Sequence, residues 1–535
     1  MFKTNNKHNQ LSLTDSSQWM NLRIREKLEK SWAPVFYEHV FCKIDEKPFA
    51  VLYGTTGNPN FPVNILLSLE YIKHMKDCTD AELLDDFYFD YLVNYAVGIR
   101  SLGEMNLAKR TLYYFRERVY QYCMDNPGED DIMFGQFIKL VKEFAGVAGI
   151  SLDEQRTDTT LFMSNIKKAG RISLAHDVLA KAVRAIPEGE RTEALAKVLA
   201  SDFKNKVLYR AREQDADSRI SMLLNLCQKA DAILSGIPAM SGSEEARILR
   251  RFLDEQSVAD PSTGGVSPKP NKEIPSSSLQ SAYDEDATYR KKGNVGYSGY
   301  SLELSETCGK DNPFQIVTDY AVKPNNLSDQ EIFEERLPII KENTGCSDMY
   351  VDGGFHSAGV HEIAEGKGIK IHMTNMAGTE PTKKLPVAAF DIDASTSVIK
   401  RCPAGHAPTR ADVGKSQTSA HFPHEVCRGC EFRNQCYSKA QAKDCVVRIN
   451  IKAIEVARVR NGMKENRIKN TSMRAGIEGT NSAMKRKGQG KLAVRGKPKC
   501  TVVSGLKAAV QNIKRFIKFM LGGYEPKPQS YPQCG

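Results

Sequence analysis

The sequence RAGIEGTNSAMK, residues 474–485, lies near the carboxyl end and decides how the rest of the chain is interpreted. Glu478 follows Arg474 by four positions and Lys485 follows it by eleven. At about 100° per residue, the three side chains fall within about 40° of one another on one stripe of a helix. A carboxylate between two cations suits a metal-binding acid beside an anionic phosphodiester. A lone Glu among basic residues is also common on a solvated helix face.

Charge is distributed unevenly around this stretch. Residues 451–520 contain 18 Lys or Arg and three Glu, a net charge of +15, whereas the whole chain carries +10. A basic end on a near-neutral body predicts a surface for a polyanion, most simply nucleic acid. Unlike a solubilising tail, the segment also has apolar residues at helical spacing: Val503, Leu506, Val510, Ile513 and Ile517.

Length and composition describe a globular protein of several domains. The chain has 535 residues, of which 41% are hydrophobic and 26% charged, as in folded soluble proteins. No apolar run approaches about 18 residues, and the amino terminus MFKTNNKHNQLSLTD lacks an apolar signal core. We therefore expect no membrane span, no export and a cytoplasmic location. The thirteen cysteines, an odd number, should then be reduced or bind metal.

Residues 1–145 are predicted to form a helical DNA-binding domain. Apolar residues recur at helical spacing from Val63 to Ile72, and Thr79 with Glu82 forms a capping-box pattern. The third predicted helix, residues 107–123, is basic and contains Lys109, Arg110, Arg116 and Arg118. Three short helices with a basic last member resemble a helix-turn-helix, although most such clusters are only structural.

The next segments differ in their periodicity. Residues 146–170 are predicted to supply the first core strand, around 157–162, which carries Asp158. Residues 171–256 are almost wholly helical, and we interpret them as an insertion because they are long for a connection between strands. Residues 257–282 are rich in Pro, Gly and Ser and are predicted to be a linker.

The main sheet is predicted within residues 283–390. The alternating stretches 296–308 and 314–324 predict a β-hairpin, and Ser328 is the expected N-cap of the following helix. A short apolar strand then ends at Asp352, before two glycines. Open α/β sheets place catalytic groups at such strand ends, while Asp before Gly-Gly is also an ordinary turn former.

Residues 391–450 are predicted to be a small cysteine-rich insertion. Cys427 and Cys430 form a C-x2-C pair, Cys436 follows, and Cys402 lies upstream, which is the spacing of a tetrahedral zinc knuckle. The Pro, Gly and polar surroundings would need a metal to hold a fold. We therefore predict a closed, structural Zn²⁺ site. The alternative is four reduced thiols in a loop, or a site that has lost its metal.

Three carboxylates stand out along the chain: Asp158, Asp352 and Glu478. Two-metal phosphoryl transfer needs acidic oxygens that hold two Mg²⁺ ions about 3.5–4 Å apart. The order of strand with Asp, hairpin, helix, strand with Asp and late helix with Glu suits a ribonuclease H-like mixed sheet flanked by helices. The predicted fold class is therefore α+β or α/β, with a helical amino-terminal domain, a helical insertion and a zinc-ribbon-like insertion. Asp284 and Asp286, just before the hairpin, are alternatives for the first acid.

Together these motifs resemble a bacterial insertion-sequence transposase of the DDE class with a ribonuclease H-like catalytic core. The resemblance rests on TLYYFRER (111–118), RTDTTLFMSNIKKAGR (156–171), YDEDATYRKKG (283–293), YVDGGFHS (350–357), CPAG (402–405), CRGCEFRNQC (427–436) and RAGIEGTNSAMKRKGQGKLAVRG (474–496). It implies that Asp158, Asp352 and Glu478 are the family's acidic triad, which holds Mg²⁺ or Mn²⁺.

The family's tyrosine–arginine–glutamate–lysine signature matches at Arg474, Glu478 and Lys485, but Thr471 stands at the tyrosine position. The resemblance implies that the arginine and the lysine contact phosphates of the transposon end. The predicted DNA-contacting residues are Arg474, Lys485, Arg486 and Lys487.

The resemblance implies an enzyme that binds the terminal inverted repeats of a mobile element, cleaves the DNA there and joins the 3′-hydroxyl to target DNA. At least a homodimer is expected, because two ends must be paired. The alternatives are a non-mobile DNA nuclease on the same fold and a non-catalytic DNA-binding protein derived from a transposase. Residues 451–520 would be basic core helices and 521–535 a tail. Asp319, on the second hairpin strand, is expected to face solvent.

Overall fold

The computed structural model describes residues 1–10, 15–126, 132–167, 169–208, 215–259, 264–374 and 383–523. The chain divides into two compact units. Unit 1 comprises Met1–Asp153, Thr157–Gly345 and Ile477–Gly535, and unit 2 comprises Glu154–Arg156 and Cys346–Gly476. Helices and a mixed sheet occur together, so the fold is mixed α and β.

Seven helices form the amino-terminal part of unit 1. They are α1 (Leu22–Glu29), α2 (Trp32–His39), α3 (Val63–Lys76), α4 (Asp80–Phe89), α5 (Tyr91–Ala96), α6 (Lys109–Asp125) and α7 (Ile132–Ala148). The predicted capping box of α4 is confirmed, since Thr79 and Glu82 satisfy each other's backbone N–H groups. α3 is almost wholly buried and is the centre of this helical group.

Five helices follow within residues 171–256, the predicted helical segment. They are α8 (Arg171–Ala185), α9 (Glu193–Val198), α10 (Ser201–Leu208), α11 (Ala216–Gly236) and α12 (Glu244–Gln256). Their apolar faces meet in a hydrophobic cluster of their own. The predicted linker contains a small antiparallel ribbon, β2 (Ser257–Ala259) with β3 (Val266–Pro268).

The strand β1 (Glu154–Met163) belongs to both units, since its first three residues lie in unit 2 and the rest in unit 1. In unit 1 it lies beside β5 (Val295–Thr307), which also pairs with β4 (Thr288–Lys292) and β6 (Val317–Pro324). The β5–β6 pair is antiparallel, as the predicted hairpin requires. Ser328 caps the next helix, α13 (Asp329–Thr344), as predicted.

The expectation that Asp319 faces solvent is wrong. Asp319 lies on β6 and is only 2% exposed. Its Oδ2 accepts a hydrogen bond from Nε of Arg336 at 2.9 Å, and Arg336 is contributed by α13. The helix covers this face of the hairpin, so the alternation of residues along the strand did not reveal which face is solvated.

Unit 2 begins with a parallel arrangement. The first residues of β1 pair with β7 (Asp348–Val351), and β7 pairs with β8 (Lys370–Met373). The helix α14 (Ala358–Gly366) connects β7 to β8, as parallel strands require a crossover. Asp352 therefore follows the carboxyl end of a parallel strand, as predicted.

The cysteine-rich part of unit 2 is built from short strands. β9 (Asp391–Ile392) pairs with β10 (Ile399–Arg401). A second sheet has the order β11-β12-β14-β13, and the helix α15 (His424–Arg428) follows β12. The strands of this sheet are β11 (Arg410–Val413), β12 (Gln417–Phe422), β13 (Ser438–Ala440) and β14 (Cys445–Asn450).

Two long helices end the chain. α16 (Ile451–Met484) leads into a π-helical turn, Lys485–Gln489, and α17 (Lys497–Met520) follows. The predicted apolar stripe of α17 is buried at Leu506, Val510, Ile513 and Ile517. In the parts of the chain that the structure describes, no helix is long and apolar enough to cross a membrane.

Candidate functional site

The first predicted acid, Asp158, lies on β1 within unit 1 and is half-buried. The preceding Thr157 is buried and donates its hydroxyl to the carbonyl of Leu304 at 2.9 Å, which anchors the strand. Oδ2 of Asp158 accepts a hydrogen bond from Nδ2 of Asn481 on α16 at 2.9 Å. β1 therefore presents this carboxylate to α16.

Glu478 is exposed on α16, three residues before Asn481. Three residues correspond to about 300°, so the two side chains lie about 60° apart around the helix. The rotation of α16 is held by Thr480, which is buried and donates to Glu306 Oε2 at 2.6 Å. Within unit 1, the strand that carries Asp158 is thus in direct contact with the helical turn that carries Glu478.

Asp352 lies in unit 2, where it begins the short 3-10 turn Gly353–Phe355. Its Oδ1 accepts from the backbone N–H of Gly354 at 2.8 Å, which sets the side-chain direction. Its Oδ2 lies 3.3 Å from Nη2 of Arg474 on α16, and 35% of the Asp352 side chain is exposed. Arg474, predicted to contact DNA phosphate, therefore pairs with a triad acid in the protein alone.

A second arginine passes beneath α16 in unit 2. Arg156 on β1 is 8% exposed, and its Nη1 donates to the carbonyl of Met473 at 2.6 Å. A Cβ placed on Gly476 would lie 2.3–2.4 Å from the Arg156 guanidinium. Because no side chain can occupy that space, only glycine permits the helix and the arginine to approach this closely.

The basic residues after α16 are accessible. Lys485, Arg486 and Lys487 are all exposed and lie in the π-helical turn. Nζ of Lys487 is 3.7 Å from Oδ2 of Asp77. Thr471, at the family's tyrosine position, is exposed as well. The predicted DNA-contacting side chains of this turn are therefore on the surface.

The alternative first acid, Asp284, has a different environment. It is 2% exposed, and its Oδ2 accepts from Ser164 Oγ and from the backbone N–H of Gly496, both at 2.9 Å. Its Oδ1 accepts from the hydroxyl of Tyr300. Burial, with the adjacent Asp284 charge, raises the pKa of Tyr300. Asp286 is exposed.

The four predicted zinc ligands line a common cavity of about 20 Å³ in unit 2: Cys402, Cys427, Cys430 and Cys436. Burial raises the pKa of Cys436, and the nearby Cys430 and Cys402 raise it further. The donor chemistry of four thiols suits Zn²⁺. Among the described residues, however, no group of three or more His, Cys, Asp or Glu side chains is placed to hold a metal ion.

One basic residue of the predicted DNA-binding helix has a structural role. Nε of Arg116 donates to Glu70 at 2.8 Å, and its two terminal nitrogens donate to Asp80 at 2.9 and 2.7 Å. Burial opposes the effect, but these donors and Lys73 hold the pKa of Asp80 well below its usual range. The exposed basic residues of α6 are Lys109, Arg110 and Arg118.

Sequence analysis missed three residues that position the acids. Asn481 lies at helical spacing from Glu478, so the periodicity of α16 contained a signal for it. Arg156 and Gly476 left no such signal, because their contact joins residues 320 positions apart in sequence. Only the folded chain shows that the glycine is required by the arginine.

The comparisons with known proteins concern the carboxyl-terminal part. No curated protein and no solved structure matches the chain. The segment that does match a family includes Glu478 and excludes Asp158 and Asp352. Residues 401–517 match a family model described as a transposase DDE domain, and this match supports a DDE-type transposase.

Proposed function

We propose that the protein is a DNA transposase that binds the ends of a mobile element, cleaves the phosphodiester bonds there and joins the freed 3′-hydroxyl to target DNA. The observation that carries the proposal is the set of contacts made by α16. Asn481 binds Asp158, Arg474 binds Asp352, and Glu478 lies between them along the helix. This helix belongs to the segment that matches the transposase DDE domain.

The order of elements supports a ribonuclease H-like core. The first strand carries an acid, a hairpin and a helix follow, and β7 ends at the second acid. The late helix α16 then supplies the third. Strand β1 is the one element that pairs with strands on both sides, with β5 in unit 1 and β7 in unit 2.

We propose that Asp158, Asp352 and Glu478 hold Mg²⁺ or Mn²⁺. When bound, such ions activate an attacking hydroxyl and stabilise a leaving oxygen. The donor chemistry of three accessible carboxylates suits these cations. Arg474 orients the carboxylate of Asp352, and DNA phosphate offers the same guanidinium a second anionic partner.

Asp158 is the better candidate for the first acid. Its carboxylate is half-buried and receives a hydrogen bond from Asn481. Both oxygens of Asp284, in contrast, accept hydrogen bonds inside the protein, and the residue is 2% exposed. An acid in that state supports the fold and is not accessible to a metal ion.

A structural Zn²⁺ at Cys402, Cys427, Cys430 and Cys436 is a separate proposal. It is supported by the convergence of the four thiols on one cavity. Zinc content measured on the purified protein tests it, with a Cys427→Ser/Cys430→Ser variant as the comparison. An equal zinc content in both proteins would contradict it.

Cleavage and strand transfer of an end-bearing duplex in Mg²⁺ test the proposed function. Asp352→Asn and Glu478→Gln should abolish both reactions and largely retain end binding, since neither carboxylate is needed to contact DNA. Asp286→Asn, at an exposed acid outside the triad, is the matched control. Cleavage without strand transfer would indicate a nuclease, and intact cleavage in Glu478→Gln would refute the triad. Two copies per paired set of ends are expected.

A further inference from the structure

A polar cavity of about 140 Å³ lies within unit 1, away from the acidic triad. Its lining includes His176 and Arg184 of α8, Ser201 and Lys204 of α10, and Tyr283. His176 is 5% exposed, whereas the other four are exposed. A buried imidazole thus lies behind a polar, cationic rim. None of the proposed functions of the triad uses these residues.

His176 has one ring nitrogen without a partner. Nδ1 lies 3.5 Å from Oδ1 of Asp177, while Nε2 is buried and has no hydrogen-bond partner among the described residues. The ring is held against Phe203, with centroids 6.3 Å apart and planes 28° apart. An unsatisfied buried polar atom costs about 1–3 kcal/mol, so native proteins keep few of them. A ligand in the cavity would satisfy Nε2.

The charge of the lining favours an anion. Arg184 and Lys204 are cationic, and Asp177 is the single acid of the lining. α10 begins at Ser201, and the first-turn N–H groups of a helix lack intrahelical partners and favour negative charge. Cavities that enclose drug-sized ligands measure about 300–1,000 Å³, so this smaller one suits a single compact group.

The rim continues toward the basic segment that follows α16. The guanidinium of Arg495 lies 4.9 Å from the ring centroid of Tyr283, and Nζ of Lys181 lies 5.6 Å from it. Arg495 belongs to the basic stretch that begins at Lys485. Cationic side chains from the helical segment and from this stretch therefore meet at one aromatic ring.

We propose that this cavity binds a phosphate group of the DNA strand, as a second phosphate contact supplied by the helical segment 171–256. The inference rests on the proposed function, because the phosphate source is DNA. Arg184 and Lys204 neutralise the phosphate, and Nε2–H of His176 donates to it from the buried side. Free inorganic phosphate has the same chemistry and is the competing source.

The salt dependence of DNA binding tests the proposal. Binding of the full-length protein to a fluorescent duplex is measured over a range of NaCl concentrations. An Arg184→Ala/Lys204→Ala variant should reduce the slope of log K against log[NaCl] by about 0.9 for the one phosphate released. Lys206→Ala is the matched control, because Lys206 lies on the same helix and pairs with Asp202 outside the cavity lining. It should leave the slope unchanged.

Inorganic phosphate separates the two sources. It should raise the thermal stability of the wild type more than chloride of equal ionic strength does, and His176→Gln should reduce that gain. A phosphate effect with an unchanged DNA slope in the double variant would assign the cavity to free phosphate and overturn the DNA proposal. The absence of both effects would overturn the site altogether. Wild-type DNA binding and cleavage, measured on the same preparations, test the proposed function independently.

Discussion

Two groups of acidic side chains occupy contrasting environments in this protein. The first group is half-buried or exposed and consists of Asp158, Asp352 and Glu478. The second is buried along or beside the β5–β6 hairpin and consists of Asp284, Glu303, Glu306 and Asp319. Most buried acids accept hydrogen bonds from the chain itself, so their charge serves the fold. The accessible acids retain the exposure that an external cation needs.

The largest expected effect concerns the identity of the first acid. Asp158→Asn should lower the rate of strand cleavage by about 10³-fold or more, since a lost metal ligand removes several kcal/mol of transition-state stabilisation. Its melting temperature should change little. The measurement is cleavage of an end-bearing duplex alongside thermal unfolding.

Asp284→Asn should show the opposite pattern. The amide presents a donor where the carboxylate accepts from Ser164, Tyr300 and Gly496, which should cost about 2–3 kcal/mol of unfolding free energy. The folded fraction should still cleave DNA. If Asp284→Asn stays fully stable and loses cleavage, the two residues have exchanged roles and the comparison is broken.

The helix that carries Glu478 offers a second way to sharpen the comparison. Gly476→Ala should destabilise the protein by about 1–3 kcal/mol, because the new Cβ would overlap the buried Arg156 guanidinium. Gly479→Ala, on the same helix with no atom within 4 Å of an added Cβ, should instead stabilise it by up to about 1 kcal/mol. Urea denaturation of both variants decides the matter. Equal signs would mean that Arg156 does not position α16.

The buried group can be examined through pH. Burial, with Asp319 nearby, raises the pKa of Glu303 well above its usual 4.5, although Arg336 opposes the shift. A raised folded-state pKa contributes stability that is complete below the unfolded pKa and is lost as pH rises toward the folded pKa. Glu303→Gln should therefore gain stability over the wild type above about pH 4.5, by at most about 1.4 kcal/mol per pH unit. Parallel unfolding curves from pH 4 to 8 would contradict this.

The smallest expected effect concerns the exposed cations beside the triad. Lys485→Ala should weaken binding to end DNA and reduce the salt slope by about 0.9, the value for one phosphate contact. Cleavage at saturating DNA should be largely retained. An unchanged slope would mean that this side chain does not contact phosphate.

Periodicity and local chemistry predicted much of the secondary structure. The capping box at Thr79 and Glu82, the hairpin of β5 and β6, and the apolar stripe of α17 all depend on residues close together in the chain. The strand end at Asp352 followed from an apolar run before two glycines. These features are local, so their energetics can be read without knowledge of the remaining fold.

Sequence by itself determined the candidates: which acids follow strands or lie on a basic helix, and which cysteines have metal-ligand spacing. Only the tertiary structure decided that Asp284 and Asp319 are buried among donors while Asp158 meets Asn481. The same holds for the contact that makes Gly476 obligatory beside Arg156. The physical reason is that burial and hydrogen-bond partners depend on residues hundreds of positions away. A carboxylate's chemistry is set by those neighbours more than by its adjacent sequence.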